Sequence, residues 1–254
     1  CSLSQTGGTD FSSADITSPS GSLNNTMSSN QANDNKTIWT GTFTPTPDTE
    51  YDDSNRLSLA TSYTDLAGNN GPDNQTENFE IDTKAPTVSV AINSAATEGR
   101  LTYGSYGFLN AGDNVSVTAT FSEPIFIVDN SSGNPTLTLT VGSDNRTATY
   151  ASGGDNSTAM VFRYMIQAGD TDSNGISIRA DALALNSSTI RDAALNNAIL
   201  TLIARSHDDD YIVDTTPPTI SSVAITSATN KQYDFVNAGD VVSVTATFSE
   251  TFPS

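Results

Sequence analysis

The sequence is poor in cysteine and has no long apolar run. Cys1 is the only cysteine among 254 residues, so no disulfide can form within the chain, and stability has to come from a buried core. No apolar stretch approaches the ~18 residues that a membrane-spanning helix needs. Cys1 itself is either the acylated residue of a processed lipoprotein or the point at which a longer chain was cut, because residue 1 is not Met and no leader-like segment is present.

Basic residues are also scarce. Ten Lys and Arg stand against 29 Asp and Glu, which gives a net charge of −19. Nucleic acid and anionic membranes are not expected as partners, since binding either requires the opposite sign. The excess of carboxylates either keeps an extended surface solvated or takes up divalent cations.

Catalytic motifs are missing as well. His207 is the only histidine, and it stands in an acidic loop beside three aspartates. The sequence contains no nucleophile elbow, glycine-rich phosphate loop or H-E-x-x-H helix. We therefore expect no enzymatic activity from this chain.

One segment of the sequence is repeated. Each copy begins with an Asp-Thr-x-x-Pro-Thr linker, continues to an Asn-Ala-Gly-Asp turn, and ends in an alternating strand that closes on Phe-Ser-Glu. Asp82 recurs as Asp214, and Glu123 recurs as Glu250. Such a repeat predicts one module of about 130 residues used in tandem. The predicted divisions are the back part of one module with its linker at 1–84, a complete module at 85–212, and a linker with the front part of a third at 213–254.

Apolar residues alternate with Ser and Thr along most of the chain, which is the signature of half-buried strands. About seven short strands in the complete module predict a β-sandwich. Predicted strands outside it include 11–17 and 57–63, and residues 181–185 are expected to form one helical turn. Trp39 is expected in the core of the first module, with an exposed sugar-stacking platform as the alternative. The expected core of the complete module consists of Val115, Val117, Phe121, Leu137, Leu139, Phe162 and Tyr164.

Four motifs of the sequence together resemble the bacterial immunoglobulin-like repeats of large surface adhesins. They are the linker, the Ala-Gly-Asp turn, the Phe-Ser-Glu strand end and an Asp-x-Ala-x-Asn-Asn segment. The resemblance covers the complete module and parts of both flanking segments. It implies an all-β fold of tandem immunoglobulin-like β-sandwiches in a linear array, often stiffened by Ca²⁺. One departure is that Gly68 of Asp65–Asn70 becomes Leu195 in Asp192–Asn197, which leaves open whether the two segments share a tight turn.

If the topology is immunoglobulin-like, several oxygen-bearing side chains meet at the junction between modules. Asp82 of the linker, Glu123 after the second strand, and Asp192 with Asn196 or Asn197 would converge there. At the next junction the corresponding residues are Asp214 and Glu250, with Asp113 approaching from the opposite pole. Ca²⁺ takes six to eight such oxygens. The alternative is that these Asp and Asn residues only bond nearby backbone at strand ends.

A second candidate calcium site is a single loop. Asp170, Asp172 and Asn174 precede a glycine in a D-x-D-x-N-G pattern, and Asp181 occupies the twelfth position. The pattern fits half of a calcium loop. A polar hairpin turn explains the same residues.

Taken together, the sequence predicts an extracellular stalk or adhesin fragment of a bacterial surface protein, with calcium as a structural ion. Its expected partners are neighbouring repeats of the same chain and a surface ligand bound by regions outside the fragment. The alternative is an accessory immunoglobulin-like or carbohydrate-binding module of a secreted polysaccharide-active enzyme. An exposed line of aromatic residues would favour that alternative.

Overall fold

The computed structural model of the protein describes residues 11–24, 28–29, 39–50, 52–65, 67–95, 102–103, 106–128, 133–228 and 235–251. Within these ranges every regular element is a β-strand or a three-residue 3₁₀ turn. The prediction of an all-β fold is therefore confirmed. Cys1 lies outside the described residues, as does the side chain of Trp39, so the alternatives for both residues stand as stated.

The first segment is built from short strands. They pair as β1-β7-β8, β2-β5, β3-β4 and β6-β9, and the rings of Phe43 and Phe79 meet edge to face with centroids 5.7 Å apart. The strands are β1 (Ile16–Thr17), β2 (Gly21–Leu23), β3 (Ser28–Ser29), β4 (Trp39–Thr40), β5 (Phe43–Pro45), β6 (Asp52–Asn55), β7 (Ser58–Leu59), β8 (Asn74–Gln75) and β9 (Phe79–Ile81).

Two strands predicted in this segment are shorter than expected. Residues 13–15 of the predicted strand 11–17 form a 3₁₀ turn. Its cause is a capping box, in which the Ser12 hydroxyl accepts from the Ala14 amide and the Asp15 carboxylate accepts from the Ser12 amide. The predicted strand 57–63 is reduced to β7, because its partner β1 is only two residues long.

The central segment contains the long strands. One sheet has the order β10-β13-β16-β15-β14-β18, with β19 also pairing with β13, and a smaller sheet has the order β11-β12-β20-β17. A second 3₁₀ turn, Asp209–Tyr211, precedes β20. The strands are β10 (Val88–Ala95), β11 (Thr102–Tyr103), β12 (Tyr106–Leu109), β13 (Asn114–Val128), β14 (Thr136–Val141), β15 (Asp144–Gly153), β16 (Asp155–Met165), β17 (Thr171–Asp172), β18 (Ser177–Ala184), β19 (Thr189–Arg191) and β20 (Ile212–Asp214).

The predicted core of the central segment is buried. All seven side chains named from the sequence are between 0% and 7% exposed, and the inward face of β14 alternates strictly with its outward face. Burial of this alternating face is the main source of stability in such a sandwich. The helical turn expected at residues 181–185 is not formed. Ala182 and Leu183 are buried in β18, where Leu183 pairs with Leu137, so packing decides the conformation.

The last segment is a hairpin of β21 (Ile220–Ala228) and β22 (Val242–Phe248). Its pairing follows that of β10 with β13, since Ile225 faces Val244 as Ile92 faces Val117. Its hydrogen bonds also recur. The Thr87 amide donates to the Ser122 hydroxyl at 3.0 Å, and the Thr219 amide donates to the Ser249 hydroxyl at 2.9 Å. The repeat seen in the sequence is thus a repeat of local structure.

Candidate metal centre at the first linker

Three carboxylates from separate parts of the chain meet at the first linker. Asp82 follows β9, Glu123 lies within β13, and Asp192 follows β19. One oxygen of each lies within 4.8 Å of one oxygen of both others. Among the described residues this is the one group of three or more acidic, histidine or cysteine side chains that lies so close together.

Glu123 reaches the group because β13 is irregular at that point. The pairing of β13 with β16 shifts register between Thr120 and Ile125. Beyond that shift β13 pairs with β19, where Phe126 faces Arg191. A register shift re-aims side chains next to it, and the β13–β19 pairing brings the turn containing Asp192 to the same place.

Asp192 is held by a compact turn. It is 2% exposed, its Oδ1 accepts from the Asn196 amide at 2.8 Å, and its Oδ2 accepts from Asn196 Nδ2 at 2.8 Å. Asn196 Nδ2 also donates to the carbonyl of Asp82 at 3.1 Å, so it ties the turn to the linker. Asn197 turns away from the group, because its Oδ1 accepts from Arg191 Nε at 2.8 Å.

The same turn occurs in the first segment, which answers the question raised by the change from glycine to leucine. Asp65 accepts from the Asn69 amide at 2.8 Å and from Asn69 Nδ2 at 2.9 Å. Gly68 has φ of +86° there, and Leu195 adopts φ of +73° at the corresponding position. Leucine is rarely found in this region because its Cβ approaches the backbone. The hydrogen bonds of the turn therefore outweigh the preference of the residue.

The linker backbone is tied to the first segment. The Thr83 amide donates to the carbonyl of Thr49 at 2.9 Å. The Thr49 amide donates to the Thr83 hydroxyl at 3.0 Å, and that hydroxyl donates to the carbonyl of Thr46 at 2.7 Å. Asp82 Oδ1 accepts from the Lys84 amide at 3.1 Å. These bonds fix the position of the linker backbone from which the Asp82 side chain extends.

The electrostatics of the group favour a cation. Burial, followed by the charges of Asp82, Asp192 and Glu50, raises the pKa of Glu123, and the Lys84 ammonium acts in the opposite direction. Lys84 lies 2.9 Å from Glu50 in an exposed ion pair, and the hydrogen bond that its ammonium donates to Glu50 raises the pKa of Lys84. One ammonium therefore faces four acids at this linker.

Neither Glu50 nor Lys84 was singled out from the sequence. The sequence does distinguish Lys84, because the two linkers differ at this position: the second linker has Thr216 where the first has Lys84. Nothing local marks Glu50, since it belongs to a different strand region and reaches the linker only through the fold.

The residues predicted at the second linker have fewer acidic neighbours. Asp214 Oδ1 accepts from the Thr216 amide at 3.0 Å, as Asp82 does from Lys84. Asp113 caps its own turn by accepting from the Asn110 amide at 2.9 Å. Within the described part of the chain, Asp113, Asp214 and Glu250 join no group of three close acids.

In the candidate loop at 170–181, protein donors hold the first two aspartates. Asp170 is 2% exposed and accepts from Arg146 Nε at 2.7 Å, the Tyr164 hydroxyl at 2.5 Å and the Gln167 amide at 2.9 Å. Burial acts to raise the pKa of Asp170, but hydrogen bonds from Tyr164, Gln167 and Arg146 outweigh it and leave that pKa lowered. These donors already give the Asp170 carboxylate the partners that a buried charge requires.

Of the other loop residues, Asp172 is buried, whereas Asn174 and Asp181 are exposed. Asp172 accepts from the Gly142 amide at 2.7 Å and from the Asn174 amide at 3.2 Å. Asp181 lies in β18 and pairs loosely with Arg179 at 3.4 Å. Of the two candidate sites, the linker is therefore the one where the structure gathers three carboxylates close together.

Three carboxylates fit a hard divalent cation. Ca²⁺ prefers carboxylate and carbonyl oxygens, and Asp82, Glu123 and Asp192 are the residues that would hold it.

Comparison with known proteins gives one match. Residues 3–81 match the family model of the bacterial Ig-like domain. No curated protein and no solved structure matches the chain. In the described residues, no helix is long and apolar enough to cross a membrane.

Proposed function

Because residues 3–81 belong to the bacterial Ig-like domain family, we propose that this chain is part of the stalk of a bacterial adhesin or other large surface protein. Its work in this proposal is mechanical: it spaces a distal binding region away from the cell. Bacterial Ig-like domains are structural repeats of surface proteins, and the extracellular setting follows from that use. Neighbouring repeats of the same chain are its immediate partners.

The observation that carries the proposal is the way the linkers are built. In the first linker, the Thr83 hydroxyl is bonded to Thr46 and Thr49. In the second, the Thr215 hydroxyl accepts from the Gly169 amide at 2.9 Å and donates to the Asp170 carbonyl at 2.9 Å. Each linker threonine is thus bonded to the segment before it. Proline two or three residues later restricts the backbone further, so these connections are stiff rather than flexible.

We further propose that Ca²⁺ binds Asp82, Glu123 and Asp192 and stiffens the first junction. Without a cation the three charges repel one another, and Lys84 offsets only part of that repulsion. A cation shared by the linker and the turn at Asp192 would lock them together. With extracellular affinities of about 10⁻⁴ to 10⁻³ M, calcium near 1 mM adds roughly 0.4 to 1.4 kcal/mol of stability per site.

The proposal is tested by small-angle scattering and hydrogen exchange of the whole chain, with calcium and with chelator. Calcium should extend the particle and protect the amides of Lys84 and Asn196. The variant Asp82→Asn with Glu123→Gln should lose both effects. A matched control is Asp155→Asn with Glu77→Gln, which removes the same charge from exposed positions outside both candidate calcium sites.

Two results would count against calcium binding here. One is a calcium response at Lys84 and Asn196 that survives in the double variant. The other is an equal loss in the control, which would mean that calcium acts through net charge alone. The stalk proposal itself is tested separately, because a particle that is compact in both buffers contradicts it whatever calcium does.

A further inference from the structure

A cleft opens in the central segment beside the second linker, away from the acids at Asp82. Its volume is about 570 Å³, which lies within the range of small-molecule sites. Residues of the loop at 171–174, the 3₁₀ turn at 209–211 and strands β12 and β20 form its walls. The lining includes Phe108, Ser173, Asn174, Asp209, Ile212 and Asp214.

The walls of the cleft are fixed by buried contacts. Asp172 is 2% exposed and holds the loop through the Gly142 and Asn174 amides. Gly175 has φ of +89°, and a Cβ added there would lie 1.9 Å from the carbonyl oxygen of Asp208. Only glycine lets the loop and the 3₁₀ turn approach so closely. The cleft is therefore formed before any ligand arrives.

The lining combines apolar surface with hydrogen-bond acceptors. Phe108 and Ile212 supply the apolar part, and Phe108 is 37% exposed, so it is partly open to solvent. Asp209, Asp214 and Asn174 supply carboxylate and amide oxygens. No Lys, Arg or His is among the described lining residues, so an anionic ligand would meet uncompensated negative charge.

We propose that this cleft binds a neutral oligosaccharide. One sugar ring would pack its C–H face against Phe108, and its hydroxyl groups would donate to Asp209, Asp214 and Asn174. A few polar groups set in an apolar cleft are the usual arrangement for a ligand of mixed character. The aromatic residue also recurs in the repeat, since Phe235 occupies the corresponding position. The inference does not depend on the calcium proposal.

The test is a titration of the whole isotope-labelled chain, followed by NMR, with chelator present so that calcium plays no part. The neutral probes are cellotetraose, maltotetraose and chitotetraose. Tetragalacturonate serves as the anionic probe and the glucosamine tetramer as the cationic one. Because an open cleft of this kind binds weakly, probes are taken to about 10 mM.

At least one neutral probe should shift the amide signals of Phe108, Asn174 and Asp209 together. Phe108→Ala should weaken that binding about 5-fold, since an aromatic contact contributes roughly 0.5–1.5 kcal/mol. Asp209→Asn should weaken it through loss of a charged acceptor, whereas Asp181→Asn, an exposed acid on β18, should leave it unchanged. Asp209→Asn keeps the test valid if the Phe108 variant folds poorly.

The proposal is overturned if no neutral probe shifts these signals. It is also overturned if only the glucosamine tetramer binds, or if Asp181→Asn weakens binding as much as Asp209→Asn does, because either outcome means attraction to net charge. Binding of tetragalacturonate at these residues would contradict the electrostatic argument.

Discussion

Replacing Glu123 by glutamine tests the electrostatics of the first linker most directly. The change removes one of three clustered charges and keeps the size of the side chain. Two carboxylates whose oxygens lie no more than 4.8 Å apart repel by at least about 0.9 kcal/mol in a water-like dielectric and at least about 3.5 kcal/mol at an effective dielectric constant of 20. Because Glu123 is partly exposed, the lower figure applies, and Glu123→Gln should stabilise the chain in chelator by about 1 kcal/mol.

The pH dependence gives this prediction a sign. Burial, then the neighbouring acids, raise the pKa of Glu123 above its ordinary value of 4.5, so the folded state binds this proton more tightly than the unfolded state. The stability of the native protein therefore falls as pH rises from 4.5 to the raised pKa, and the full penalty is present above it. The difference between variant and native protein should be largest at neutral pH and should vanish below pH 4.5.

Calcium should make the native protein more stable than the Glu123→Gln variant, the opposite of the order expected in chelator. At about 1 mM Ca²⁺ the native protein should gain up to roughly 1.4 kcal/mol and the variant should gain little. Scanning calorimetry can follow both, because 1 kcal/mol moves the melting temperature of a domain of this size by about 3–5 °C. Glu77→Gln, at an exposed position, is the matched control. If Glu123→Gln destabilises the chain in chelator at pH 7, the three charges are not the dominant interaction and the reasoning fails.

Five further substitutions have expected outcomes in denaturant, thermal or acid melts. Leu195→Gly should stabilise the central segment by about 1 kcal/mol, because it relieves φ of +73° at an exposed position. Gly68→Leu should destabilise the first segment by a similar amount. Equal stability of both variants and the native protein would mean that neither turn is strained. Phe121→Ala should cost about 3–5 kcal/mol, since the ring is 3% exposed, and a loss below about 1 kcal/mol would place this ring outside the core. Tyr164→Phe should cost about 1–3 kcal/mol by removing a donor from buried Asp170. Because the pKa of Asp170 is lowered below 3.8, the stability that this carboxylate adds is present above pH 3.8 and is lost as pH falls through the lowered pKa; an unchanged acid midpoint in Asp170→Asn would contradict it.

The sequence predicted the strands and the meeting of Asp82, Glu123 and Asp192, for reasons that are largely local. Alternation decides which face of a strand is buried, and the duplicated linker predicts where modules join. Chain topology brings Glu123, which lies within β13 and not at its predicted end, to the turn that follows β19. The same reasoning predicted that Asn196 or Asn197 would join the group. Asn196 does so through Asp192 and the carbonyl of Asp82, whereas the side chain of Asn197 points to Arg191.

The loop at 170–181 shows where such reasoning stops. A D-x-D-x-N-G pattern has the same letters whether its carboxylates bind an ion or a protein donor. Arg146 lies 24 residues before Asp170, and nothing in the intervening sequence predicts that its guanidinium reaches this loop. Contacts between distant strands decide how a carboxylate is used, and the pattern alone does not contain them.

Burial has the same dependence on distant strands. β22 repeats β13 nearly residue for residue, and it keeps the register, the turn hydrogen bonds and the capping hydroxyl of its counterpart. Yet Val117 is 0% exposed and Val244 is 62% exposed. The difference is that β14, β15, β16 and β18 extend the sheet beside β13, and no described strand does so beside β22. A hairpin alone is marginally stable in water. In both copies local sequence specifies the pairing of the hairpin, and in the central segment the strands that extend the sheet beside β13 bury its apolar face.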